Sequence, residues 1–301
     1  KRIYCKTAVE DYINHVVSVA EVRFDGLNIA IDTANGSASV CAKEIFTRLG
    51  AKCHMLSDTP NGVNINLNCG STHPEELMAF VKANKLDLGV AFDGDADRML
   101  AVDENGDLVD GDKIIAICAA QMKQDGKLAK NTAVVTVMSN MGFFKFCEEN
   151  DIKCAKTAVG DRYVLERMLQ KGYNIGGEQS GHVIFLDYAT TGDGELSAVK
   201  LIETVVKSGA TLGSLAKIMT VYPQVLINVP VTPQGKLKYN NDEYIISAVQ
   251  EAEMDLNGDG RVLVRVSGTE PLVRVMLEGK NIEQITKLGN QIAEVVKERL
   301  S

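Results

Sequence analysis

No run of apolar residues in this 301-residue chain approaches the roughly 18 that a membrane-spanning helix needs. The opening residues lack the charged-then-apolar pattern of a secretory leader. Basic charge is not in excess: the formal net charge is -8. That argues against a nucleic-acid or anionic-membrane surface, so any anionic ligand must be caught by local basic groups. The seven cysteines, Cys5, Cys41, Cys53, Cys69, Cys118, Cys147 and Cys154, include no C-x-x-C pair and are odd in number. They read as scattered, reduced thiols of a cytoplasmic protein, and they argue against zinc. No G-x-x-x-x-G-K-[ST] loop and no low-complexity segment occurs. The chain opens on Lys rather than Met and is expected to be a piece of something longer.

What is present is a globular composition, 45% hydrophobic, with length for two or three domains. A helix is expected in the first 22 residues, on the stripe Ile13, Val16, Val17 and Ala20. Strand-helix alternation then begins, with strands at Leu27–Ile31, Ala51–Leu56 and Asp87–Phe92. Helices between them are capped by Ser37 or Ser39 and by Ser71 or Thr72. Such alternation implies parallel strands joined by right-handed crossovers. A second unit of the same pattern follows Glu104, a hint of internal duplication. It has helices at Asp112–Lys123, Met141–Glu149 and Asp161–Leu169, with strands at Ala133–Met138 and Ile152–Lys156. From Tyr222 the pattern changes to a strand, an interruption at Pro233-Gln234-Gly235, a helix, two antiparallel strands and a last helix, Ile282–Leu300. The expected architecture is two successive three-layer α/β/α domains, residues 1–103 and 104–219, followed by a smaller α+β domain, residues 220–301.

The strand ending at Phe92 runs into Asp93-Gly94-Asp95-Ala96-Asp97-Arg98. Three carboxylates at alternate positions repel each other unless a cation lies between them. An all-oxygen donor set suits a hard ion such as Mg2+. The end of a parallel strand is also where α/β sheets bind ligands. Asp93, Asp95, Asp97 and Glu104 fit positions 1, 3, 5 and 12 of a calcium loop, but its glycine position holds Arg98. The similar Asp255, Asn257, Asp259, Gly260 series reads as a tight turn.

Two further stretches carry chemistry. In Gly176-Gly177-Glu178-Gln179-Ser180-Gly181-His182, an extended chain would put Glu178 and Ser180 on one side, able to hold vicinal hydroxyls. His182 could move a proton there. In Arg265-Val266-Ser267-Gly268-Thr269-Glu270-Pro271-Leu272-Val273-Arg274, a Ser-Gly-Thr turn between two arginines makes a phosphate cradle. The alternative is an ordinary hairpin turn with an ion pair to Glu270. Ser71-Thr72-His73-Pro74 reads as a helix cap rather than a nucleophile.

Taken in order, these three stretches resemble the metal, sugar and phosphate loops of the α-D-phosphohexomutase family, and the similarity runs from Asp25 nearly to the end. Gln179 is similar to the phosphoglucosamine mutase branch, where phosphomannomutases and phosphoglucomutases usually carry Met. So are Val159 to Val164 and Thr190 to Gly194. The resemblance implies Mg2+ on Asp93, Asp95 and Asp97, and catalytic roles for Arg98 and His182. It implies substrate contacts from Arg162, Glu178, Ser180 and His182, and a phosphate clamp of Arg265, Ser267, Gly268, Thr269 and Arg274. The implied reaction interconverts glucosamine 6-phosphate and glucosamine 1-phosphate. It passes through a phosphoserine and a bisphosphorylated sugar, in the cytoplasm, with no nucleic-acid or membrane partner, and a homodimer is compatible with it. A phosphomannomutase or phosphoglucomutase, or a non-catalytic module binding metal and sugar phosphate, is the alternative. Val266 departs from the family's usual Pro. The family's phosphorylated serine belongs to a preceding domain and is absent here, so the fragment is expected to be inactive alone.

Overall fold

The computed structural model describes residues 5–267 and 270–301. They form two compact units, one of residues 5–139 and 143–220, the other of residues 140–142, 221–267 and 270–301.

The first unit contains two sheets. Strands β1 (Asn28–Asp32), β2 (Lys52–Leu56), β3 (Leu88–Phe92), β4 (Met99–Asp103) and β5 (Leu108–Val109) form a sheet in the order β2-β1-β3-β4-β5. β1 runs parallel to β2 and β3, whereas β4 is antiparallel to β3. Strands β6 (Thr132–Thr136), β7 (Lys153–Thr157), β8 (Ile175–Gly177) and β9 (Val183–Phe185) form the second sheet in the order β7-β6-β8-β9. There β6 is parallel to β7 and β8, and β9 is antiparallel to β8. The second sheet therefore repeats the first four strands of the first, in line with the duplicated sequence pattern.

Alternation along the strands builds the layers. Ile29, Ile31, Val90 and Phe92 face α1 (Ala8–Ser18) and α2 (Ala42–Arg48) through Ile13, Val16, Ile45 and Phe46. Ala30, Ala91 and Val102 point the other way, onto Leu77 and Val81 of α3 (Glu75–Asn84). In the second sheet Val134 and Ile184 meet Val164 and Met168 of α6 (Asp161–Lys171). Its opposite face packs with α4 (Gly111–Gln124), α5 (Met141–Glu149) and α7 (Gly194–Ser208).

An ion network that runs from the surface to the buried Glu203 fastens the chain after α1 to α7. Lys207 reaches Glu203 at 2.7 Å, Glu21 at 2.8 Å and Asp125 at 3.4 Å. Lys200 reaches Glu203 at 2.8 Å, and Lys127 also pairs with Glu21. Lys127 and Lys207 hold the Glu21 carboxyl down to about 2.

The second unit is a three-stranded antiparallel sheet in the order β10-β12-β11: β10 (Gln224–Pro230), β11 (Gly260–Val266) and β12 (Leu272–Gly279). Its core joins Val273, Val275 and Leu277 to Ile245 and Leu256 of α10 (Glu243–Leu256). It also takes in Ile285, Ile292 and Val296 of α11 (Ile282–Leu300). Among the described residues no helix is long and apolar enough to cross a membrane.

Several local expectations are corrected. Ser37 to Val40 form a 3-10 turn, and α2 starts only at Ala42, with no side-chain cap. Ser39 spends its hydroxyl on Gly36 O instead. The N-cap of α3 is Pro74, again with no side-chain cap. Ser71 lies three residues before that cap, and its backbone N–H donates to Phe92 O. Pro233-Gln234-Gly235 does not interrupt the chain but opens a short helix, α9 (Pro233–Lys238). It follows α8 (Leu212–Leu215) in chain order. Pro sits at its first turn, where a missing N–H costs nothing, and Thr232 caps it.

Candidate functional site: an aspartate loop joined to a glycine hairpin

Asp93 leaves the buried end of β3, and the chain turns at once, with Ala96 N–H donating to Asp93 O. Ala96 takes a left-handed φ of 59°, a cost that a non-glycine residue accepts at functional turns. The turn brings one oxygen from each of Asp93, Asp95 and Asp97 within 4.8 Å of one another. Burial, aided by the neighbouring Asp97 and Asp95, pushes the Asp93 carboxyl up to about 6. A divalent cation would remove that penalty, and the all-oxygen donor set fits Mg2+.

The loop is packed from beneath. Gly94 O accepts from Ser37 N, and a Cβ on Gly36 would stand 2.3 Å from that same oxygen. A Cβ on Gly94 would press on Ile65 and Asn66 of the long loop after β2. That loop is closed by Asp32, whose buried carboxylate accepts from Ala34 N and Gly70 N. Arg98 sits at the loop's exit. Its backbone N–H donates to Asp93 at 3.1 Å, while its half-exposed guanidinium stands 3.8 Å from Asp97 and 3.9 Å from Asp93.

The second expected loop lies directly against the first. The chain from Glu178 to His182 is not extended. It is the tight turn of the β8–β9 hairpin, with Gly181 N–H donating to Glu178 O and Glu178 N–H to His182 O. Met99 N–H, one residue past Arg98, donates to Gly181 O at 3.0 Å. Glu178 Oε1 accepts from Gly160 N at 3.0 Å, and Ser180 is exposed at the tip.

His182 is 3% exposed. Gly192 N–H, which can only donate, points at its Nε2 from 3.1 Å, so Nδ1 carries the proton and donates to Asp97 Oδ2, also at 3.1 Å. Both ring nitrogens are engaged. Arg162, in the first turn of α6, is turned to solvent and pairs with Glu166 at 2.8 Å.

Sequence reasoning missed what lines the hollow beside the aspartates. A cavity of about 360 Å³ is bounded by Asp95 and Asp97 together with Tyr12, Cys41, Asp193 and Glu195. Cys41 donates its thiol to Glu195, and Tyr12 its hydroxyl to Asp193. Burial pushes the Glu195 carboxyl up to about 7. Nothing local flags Glu195, because an acid in the first turn of a helix such as α7 is an ordinary placement.

The third loop belongs to the second unit. Arg265 and Arg274 stand directly opposite each other on β11 and β12. Burial first, and Arg274 second, lower the Arg265 guanidinium below its usual range. Arg274 pairs with Glu270 at 2.9 Å, and its buried Nε has no partner among the described residues. Ser267 is buried, and its hydroxyl accepts from Glu270 N. Gly268 and Thr269 lie outside the described residues.

Three models of the phosphoglucomutase/phosphomannomutase family match in succession: α/β/α domain II over residues 10–106, α/β/α domain III over 110–222 and the C-terminal domain over 226–295. A phosphoglucosamine mutase of Clostridium novyi is 50% identical over 99% of this chain and 67% of its own length. The chain belongs to the α-D-phosphohexomutase family. A phosphoglucosamine mutase of Brevibacillus brevis is 54% identical over 97% of this phosphohexomutase chain. The chain spans 64% of that relative's length. Among solved structures, the Aspergillus fumigatus N-acetylphosphoglucosamine mutase in complex with GlcNAc-6P and magnesium shares the fold. Its TM-score is 0.74 at 20% identity, over 97% of this chain and 65% of that one.

Proposed function

We propose that the protein containing this chain is a phosphoglucosamine mutase, interconverting glucosamine 6-phosphate and glucosamine 1-phosphate in the cytoplasm. The observation that carries the reading is the union of the aspartate loop with the glycine hairpin through Asp97–His182 and Met99–Gly181. It brings the three aspartates and the Glu178–Ser180 turn side by side, which supports a cation site next to partners for sugar hydroxyls. The names of the relatives that are about half identical support the same substrate, and the fungal complex supports a sugar phosphate with magnesium.

In this reading Asp93, Asp95 and Asp97 hold Mg2+. Bound there, such an ion would supply positive charge to offset that of a phosphoryl group in transfer. Arg98 adds positive charge at the rim. Glu178 and Ser180 receive sugar hydroxyls, and Glu178 is pre-aimed by the Gly160 N–H. Both nitrogens of His182 are engaged, so we assign it to holding Asp97 rather than to moving a proton on the sugar. Arg162 must leave Glu166 to reach substrate. Arg265 and Arg274, with Ser267, Gly268 and Thr269, clamp the phosphate that does not react. The phosphoryl-carrying serine lies outside these residues.

Calorimetry of the 301-residue chain with Mg2+ and three hexose 6-phosphates tests this. Glucosamine 6-phosphate is expected to bind more tightly than the glucose and mannose compounds. Equal binding of all three refutes the sugar assignment. The chain alone is expected to show no interconversion, and clear turnover refutes the placement of the serine.

A further inference from the structure

Glu178 and Ser180 flank Gln179, so whatever fixes Gln179 sets the position of both. The ends of the hairpin turn are secured by backbone bonds: Glu178 N to His182 O, and Met99 N to Gly181 O. The middle is held differently. Gln179 Nε2 donates to Asp110 Oδ2 at 3.1 Å, and Gln179 O accepts from Gly111 N at 2.9 Å. The amide orientation is forced, because a carboxylate only accepts.

Asp110 is the N-cap of α4. Its other oxygen, Oδ1, accepts from Lys113 N at 3.1 Å. One carboxylate thus starts a helix and clips the hairpin to it. The free N–H groups and positive dipole end of α4 favour the carbonyl oxygens pressed against them. Contact leaves no slack: a Cβ on Gly111 would stand 2.1 Å from Glu178 O and 2.9 Å from Gln179 O. Ser180, at the exposed tip, has no hydrogen bond of its own among the described residues.

We propose that Gln179 is a positioning residue that does not touch the sugar: its amide, clipped to the helix-capping Asp110, holds Glu178 and Ser180 where sugar hydroxyls arrive. The proposal rests on the sugar-phosphate reading above.

The test is a charge-mirrored rescue. Gln179→Glu places two carboxylates together and should break the clip. Gln179→Glu combined with Asp110→Asn should rebuild it: Asn still caps α4 through Oδ1, and its Nδ2 now donates to Glu. Two readouts are taken on the whole chain. Amide hydrogen exchange of the segment 176–184 should quicken about tenfold or more in the single variant and return towards the original rate in the double, the scale of one lost buried hydrogen bond. Affinity for glucosamine 6-phosphate with Mg2+ should fall by about tenfold and recover in parallel. A single variant that exchanges and binds like the original overturns the proposal, and so does a double variant no better than the single. If the original chain binds no hexose phosphate, the functional reading falls and the substrate role of Gln179 with it. The exchange data still decide whether the clip exists.

Discussion

His182 donates from Nδ1 to Asp97 Oδ2 across 3.1 Å, while its other nitrogen is filled by Gly192 N–H. An aspartate of the proposed cation site is thus held by a buried ring on the neighbouring hairpin. Partners of this kind set ligand orientation, and their loss typically weakens metal binding about 10- to 100-fold. His182→Phe should weaken Mg2+ or Mn2+ binding by that order in a calorimetric titration. Gly192→Ala, whose Cβ would stand 2.5 Å from Nε2, should do the same without altering the imidazole. Unchanged affinity in both would show that Asp97 needs no support.

Glu195 gives a pH signature. Burial raises its carboxyl from 4.5 to about 7, so the folded chain binds this proton more tightly than the unfolded chain does. Its contribution is fully present below about pH 4.5 and is lost as pH rises through about 7. Glu195→Gln should therefore gain on the original protein between pH 5 and pH 8. A tenfold change in proton affinity is worth roughly 1.4 kcal/mol, so the gain is a few kcal/mol. Urea unfolding at both pH values checks it, and a constant difference would contradict it.

The proposed phosphate role of Arg265 predicts a trade of stability for anion binding. It faces Arg274 across the β11–β12 ladder, and like charges directly opposite are destabilising. Arg265→Gln should raise stability by roughly 0.5 kcal/mol without ligand. The same change should cut affinity for inorganic phosphate by about tenfold. Thermal melting with and without phosphate reads both effects. A loss of stability in the phosphate-free variant would refute the trade.

Lys207 is the hub of the ion network, with Glu203 almost wholly buried beside it. Lys207→Met should cost about 1–2 kcal/mol, because Glu203 keeps Lys200 and Glu21 keeps Lys127, so the carboxylates lose part of their pairing rather than all of it. A change below about 1 kcal/mol, the worth of an exposed pair, would mean the network is idle.

Most elements are legible in the sequence because their signals are local. The apolar run Leu88–Phe92 is a wholly buried strand, and the helix Met141–Glu149 has the bounds its pattern implies. Some of the assignments that differ turn on contacts from outside the local stretch. Ser71 does not cap α3 because the helix begins only at Glu75, with Pro74 at its N-cap, while the Ser71 N–H is tied to Phe92 O at the end of β3. The turn that precedes it is fixed by Asp32, 38 residues earlier than Gly70. The aspartate triplet is readable from its alternation, yet its junction with the hairpin is not. That junction depends on His182 reaching back 85 residues to Asp97, which no local pattern records. Nor does Gln179 announce its attachment to Asp110, 69 residues away.

The most direct test of the account is a calorimetric titration of the 301-residue chain with Mg2+, beside Asp95→Asn, the most exposed of the three ligands. The account predicts one site in the original chain and at least about a tenfold loss in the variant. No detectable site, or equal affinity in both, would contradict it.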